Sequence, residues 1–146
     1  MTDNTILSVS DLQVSYGDLT VLRDINADIT SESVVSILGA NGAGKTTLLR
    51  TIAGLKDPDT GTITFKNKNI LNQEPYQIIK QGLTYVPERH RIFPDMSVHE
   101  NLLIATAPAE DIDRGARLEH VLDLFPILDE RQSQKARNMS GGQQQM

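Results

Sequence analysis

The run Gly39-Ala40-Asn41-Gly42-Ala43-Gly44-Lys45-Thr46 constrains this chain more than any other stretch of it. It matches G-x-x-x-x-G-K-[ST], a loop whose glycines let backbone N–H groups turn inward on a phosphate. Val34-Val35-Ser36-Ile37-Leu38 ahead of it is a short apolar run that reads as a buried parallel strand. Thr47 to Ala53 behind it reads as a helix that stops at Gly54. A helix starting at the loop points its positive dipole end at the same anion. In such an arrangement Lys45 reaches the β- and γ-phosphates, and the Thr46 hydroxyl holds Mg²⁺. The pattern predicts a nucleoside-triphosphate site in a β/α core.

Composition narrows the partners. A chain of 146 residues suits one domain with a real core. Its 14 Lys and Arg against 19 Asp and Glu give a net charge of −5, so no basic footprint for nucleic acid exists. The chain has no cysteine, which excludes disulfides and thiolate metal sites. His90, His99 and His120 lack ligand-like spacing. No apolar run reaches the length of a membrane span, and Met1 to Thr5 lacks a basic region followed by an apolar stretch. A cytoplasmic location is expected, unless a partner carries the protein to a membrane.

The first third reads as strands. Ile6 to Val14 alternates loosely and breaks at Tyr16-Gly17-Asp18; Val21-Leu22 with Ile25 to Ile29 makes a second extended segment. Thr62 to Lys66 is a half-buried strand between the turns Pro58 to Gly61 and Asn67 to Asn69. Glu74 to Gln81 suggests a short helix starting near Pro75 and ended by Gly82. Leu83 to Val86 reads as one more short strand. From Ser97 the pattern turns helical: Ser97 and Glu100 form a capping box. Leu118, Val121, Leu122 and Phe125 then share one helix face before Pro126. Near the end, Met139-Ser140-Gly141-Gly142-Gln143 opens another helix. Ser140 and Gln143 stand at capping-box spacing, and two glycines leave first-turn N–H groups bare for an anion.

Together these residues resemble the ATP-binding subunit of an ABC transporter, over essentially the whole chain from Leu7 to Met146. The resemblance implies an α/β fold: a P-loop NTPase core of ABC type with an N-terminal antiparallel β region and a helical subdomain, incomplete at the C-terminus. Residues 1–146 then form a partial ATP-binding domain, with the β/α core, phosphate loop and Q-loop region in 1–96. The helical subdomain covers 97–138, and 139–146 starts the signature helix. Tyr16 matches the aromatic residue that stacks on adenine. Gly39 to Thr47 is the Walker A loop and its first helical residues, binding ATP and Mg²⁺. Met139 to Gln143 resembles the signature LSGGQ, whose Ser140, Gly141, Gly142 and Gln143 contact ATP held by the opposite subunit. Where the family's Q-loop has a glutamine near Mg²⁺ and the attacking water, this chain has Glu88. Lys45 and Glu88 are therefore the implied catalytic residues, and Thr46 and Glu88 the implied metal ligands.

Tyr85 to Pro94 and the Met of MSGGQ are similar to the subfamily serving branched-chain amino acid importers, although Arg89-His90 replaces its usual Gly-Arg. That likeness implies a location peripheral on the inner face of the membrane, with membrane permease subunits as partners. It also implies a second, different ATP-binding subunit in a heterodimer, and indirectly a periplasmic or extracellular substrate-binding protein. The family's Asp-Glu strand and switch histidine follow the signature helix, so the 146 residues alone are expected to bind nucleotide weakly without turnover. Two other readings stand beside this one: a soluble ABC-type ATPase outside transport, and a truncated non-catalytic nucleotide-binding or interaction module.

Overall fold

The structure, a computed structural model, describes residues 4–87, 92–106 and 114–146. Contacts divide the chain into a unit Met1–Tyr85 and a unit Val86–Met146.

In the first unit, β1 (Thr5–Tyr16), β2 (Leu19–Thr30), β3 (Thr60–Phe65) and β4 (Lys68–Asn69) form an antiparallel sheet in the order β2-β1-β3-β4. The two-residue connection at Gly17-Asp18 folds β2 back on β1, so Tyr16 faces Leu19 across the hairpin end. A register shift between Val9 and Leu12 interrupts the hairpin, where Asp11 has φ 50° and its N–H donates to Asn26 Oδ1 at 2.9 Å. Period-two alternation places Leu7, Val9, Leu12 and Val14 in the core with Leu22, Ile63 and Phe65. Helix α1 (Lys45–Ile52) contributes Ile52 to that core, and α2 (Pro75–Lys80) contributes Ile78. Pro75 stands at the first turn of α2, as its fixed φ allows.

Two expected strands do not form. Val34 to Leu38 and Leu83 to Val86 carry no ladder, and Val34 and Leu38 are 98% and 91% exposed. A parallel strand needs a neighbour to take its N–H and C=O groups. Among the described residues neither segment has a ladder partner. Instead Val35, Ile37, Leu83 and Tyr85 line an apolar cavity of about 270 Å³ with Leu48 and Ile52 of α1.

The second unit is helical: α3 (Val98–Thr106), α4 (Arg114–Leu124) and α5 (Pro126–Asp129), then short 3₁₀ turns at Ala136–Asn138 and Gln143–Gln145. Val98, Leu128 and Met139 form its small core, with Leu102, Val121, Leu122 and Phe125 packed against them. Both segments predicted from capping and periodicity are therefore helices, and Pro126 begins α5 where α4 stops. The segment Gln132 to Lys135 runs beside Ser97 to His99: Val98 N–H donates to Gln134 C=O and His99 N–H to Gln132 C=O, each at 3.0 Å.

Candidate functional site: a glycine-rich phosphate loop

Residues 39–44 have no regular structure, and α1 begins at Lys45. The junction is fixed by sterics. Gly44 is the N-cap of α1 with φ 92°, ψ 2°, a conformation that L side chains rarely adopt. A Cβ there would stand 2.6 Å from Leu22 Cδ2 and 3.3 Å from Val21 Cγ1. The loop thus lies directly on β2. Gly44 C=O accepts the first helical bond, from Leu48 N–H at 2.9 Å. Without a capping side chain at Gly44, the N–H groups of the first turn keep no local side-chain acceptor.

Lys45 is the charged group of the loop. Its Nζ donates to Gly39 C=O at 2.7 Å and to Ala40 C=O at 2.9 Å, so the ammonium closes the loop on itself. Ala43 N–H donates to Ala40 C=O at 3.2 Å, a turn that bends residues 40–43. Asn41, Gly42 and Ala43 are exposed, as is Thr46, while Thr47 is half-buried. Thr51, one turn further on, is buried and donates its hydroxyl to Thr47 C=O at 2.9 Å. The residues present fit a triphosphate with Mg²⁺: an exposed turn, an uncapped helix start, a lysine positioned inside it, and a threonine hydroxyl beside it.

Tyr16 ends β1 and is 46% exposed, and Lys56 Nζ lies 5.1 Å from its ring centroid. A flat, half-exposed aromatic face is suited to stacking on a base. Lys56 carries no sequence signal for this place, because it reaches Tyr16 only through the turn after α1.

In the helical unit the Ser140 turn has the expected capping geometry. Ser140 N–H donates to Gln143 Oε1 at 3.0 Å, and Gln143 N–H donates to Ser140 Oγ at 3.3 Å. The helix it opens is a 3₁₀ turn of three residues, Gln143–Gln145. Gly142 adopts ordinary right-handed angles, φ −64° and ψ −39°, with open space where a Cβ would stand. The other capping box is complete: Ser97 N–H and Oγ donate to Glu100 Oε2 at 2.7 and 2.8 Å, and Glu100 N–H donates to Ser97 Oγ at 3.1 Å. The Ser97 N–H and then its hydroxyl hold the Glu100 carboxyl below its ordinary range. Glu88, the expected metal and water ligand, lies outside the described residues, as do Arg89 and His90. No helix among the described residues is long and apolar enough to cross a membrane.

Comparison with known proteins agrees with this geometry. A family model described as "ABC transporter" matches residues 22–146. The chain is 35% identical over 141 residues to a high-affinity branched-chain amino acid transport ATP-binding protein, BraG of Pseudomonas aeruginosa; the match covers 97% of the chain and 60% of that protein. It is 35% identical over 135 residues to a probable branched-chain amino acid transport ATP-binding protein, LivF of Archaeoglobus fulgidus, covering 92% and 57%. A solved structure described as the ATP-binding subunit of an ABC transporter superposes with a TM-score of 0.84 at 29% identity, covering 97% of this chain and 58% of that one. The chain thus spans a little under two thirds of the length of these relatives.

Proposed function

Because the chain belongs to the ABC transporter family and has the fold of its ATP-binding subunits, we propose that it binds MgATP on residues 39–47 and serves as the energy-supplying subunit of an importer. The observation that carries this reading is Lys45, whose ammonium already sits inside the loop on the Gly39 and Ala40 carbonyls. A γ-phosphate entering the turn replaces those two carbonyls with a stronger, charged acceptor. Loop amides and the α1 start share the negative charge, and Tyr16 stacks on the base. Thr46 would hold Mg²⁺, with Glu88 as the second ligand that the resemblance implies, and the ion would neutralise charge on the phosphate oxygens. Catalysis by Lys45 is then electrostatic, with no covalent role.

In this reading Ser140, Gly141, Gly142 and Gln143 meet the ATP of an opposite subunit in a head-to-tail pair, and the second subunit is a different chain. Permease subunits hold the protein on the inner face of the membrane, and a substrate-binding protein delivers cargo outside. Branched-chain, hydrophobic amino acids are the proposed cargo, supported by the Tyr85 to Pro94 pattern and by the names of two relatives. Another relative, 36% identical, is a spermidine/putrescine import ATP-binding protein of Clostridioides difficile. Cargo therefore needs its own test. The functional division is 1–96, 97–138 and 139–146, and hydrolysis belongs to a protein of the relatives' full length.

Titration of the 146-residue chain with ATP, ADP and AMP in Mg²⁺ tests the nucleotide claim. ATP and ADP should bind at least about tenfold more tightly than AMP, since the loop reads the β- and γ-phosphates. Equal affinities would overturn it. Loss of labelled leucine, isoleucine and valine uptake on disruption of the gene is the expected cargo result; unchanged uptake would contradict it.

A further inference from the structure

The turn Phe93 to Met96 and the turn beginning at Ser140 belong to the helical unit, and a chain of hydrogen bonds joins them. Asn101, in the first turn of α3, holds both polar backbone groups of Phe93. Its Oδ1 accepts from Phe93 N–H at 2.8 Å, and its Nδ2 donates to Phe93 C=O at 3.0 Å and to Ser97 C=O at 2.9 Å. The same turn is gripped from the other direction. Arg137 N–H donates to Pro94 C=O at 3.0 Å, and Ala136 N–H donates to Met96 C=O at 2.9 Å. Arg137 also pairs with Asp95 at 2.8 Å.

From there the path reaches the Ser140 turn in one step. The Ala136–Asn138 turn runs into buried Met139, and the Gln144 side chain donates back to Ala136 C=O at 3.0 Å and Met139 C=O at 3.1 Å. Apolar packing contributes on one side, where Met139 lies in the core with Val98 and Leu128. Phe93, Leu102, Ala136 and Met139 line an open cavity of about 330 Å³. The Asp95–Arg137 pair is exposed, and such pairs contribute little. The direct link from the Phe93–Met96 turn to Ala136 and Arg137 is made by backbone bonds, with Asn101 fixing their acceptor turn.

We infer that Asn101 is a positioning residue: by pinning the Phe93–Met96 turn it sets where Ser140 and Gln143 stand, so displacement at Phe93 is carried to the Ser140 turn. Phe93 itself is half-exposed. The functional meaning of this linkage rests on the proposed role of Ser140 to Gln143 toward ATP; the linkage itself does not.

Residue-resolved hydrogen exchange on the 146-residue chain tests it. Asn101→Ala should speed exchange at the Ala136, Arg137 and Gln144 amides by about tenfold, while Phe125, which donates to Val121 C=O at 3.0 Å, changes by less than about twofold. Asn101→Asp keeps the acceptor for Phe93 N–H and loses both donors, so it should give a smaller rise at the same three amides. It also serves as the working variant if Asn101→Ala fails to fold. Faster exchange at Phe93 with Ala136 and Arg137 unchanged would overturn the linkage. An equal rise at Phe125 would also overturn it, leaving Asn101 only a general stabiliser. Absence of ATP binding by the parent chain would remove the proposed function, whereas the exchange pattern decides the linkage separately.

Discussion

Residues 39–46 and 140–143 are both glycine-rich starts to helical structure, but the first leads into eight residues of α-helix and the second into a three-residue 3₁₀ turn. At the first, Gly44 takes a positive φ that glycine alone adopts freely, Leu22 leaves no room for a Cβ there, and α1 contributes Ile52 to the core. At the second, Gly142 has relaxed angles and empty space beside it. What holds that turn comes from the side: buried Met139, the Gln144 side chain, and the bonds from Ala136 and Arg137 to the Phe93–Met96 turn. Glycine is thus required by the backbone and by Leu22 at position 44, whereas no steric contact requires it at position 142.

The sharpest way to break this contrast is to put the same methyl group in both turns. Gly44→Ala should cost about 2–4 kcal/mol in urea unfolding, from positive φ plus the clash with Leu22. Gly142→Ala should stay within about 0.5 kcal/mol. Equal costs would show that the two turns are held alike. Next in size, Lys45→Ala should weaken ATP binding by about 10- to 100-fold in calorimetry, since it removes a charged donor to phosphate. Its melting temperature should change little, because the lysine only closes its own loop.

Ser97→Ala removes the hydroxyl of the α3 capping box, beside the Asn101 clamp, and should cost about 1 kcal/mol in the same unfolding assay. The smallest effect is a pH dependence. The Glu100 carboxyl titrates lower in the folded chain than unfolded, because Ser97 N–H favours its charged form. The stability it adds is present above the ordinary glutamate range and is lost as pH falls through the lowered value. Thermal melts between neutral pH and about pH 3 should show an acid loss that is shallower in Glu100→Gln. Identical slopes would remove the capping carboxylate from the balance.

What was legible in the sequence was local. Both capping boxes, Pro75 at a helix start, the stop of the α4 pattern before Pro126 and the β1–β2 alternation each need only a few adjacent residues, and all have their expected geometry. Val34 to Leu38 reads as a strand because an apolar run reports that a segment wants burial. It says nothing of whether a neighbour is present to pair with it. The clamp between Phe93–Met96 and Ala136–Arg137 had no signal at all. It joins residues about forty apart through backbone groups, which every residue type carries alike.

The most direct measurement is a map of backbone amide shifts on titrating the 146-residue chain with MgATP. Perturbation concentrated at residues 39–47 and at Tyr16, and absent in Lys45→Ala, is the expected result. Saturable shifts elsewhere, with residues 39–47 unmoved, would contradict a nucleotide site on this loop.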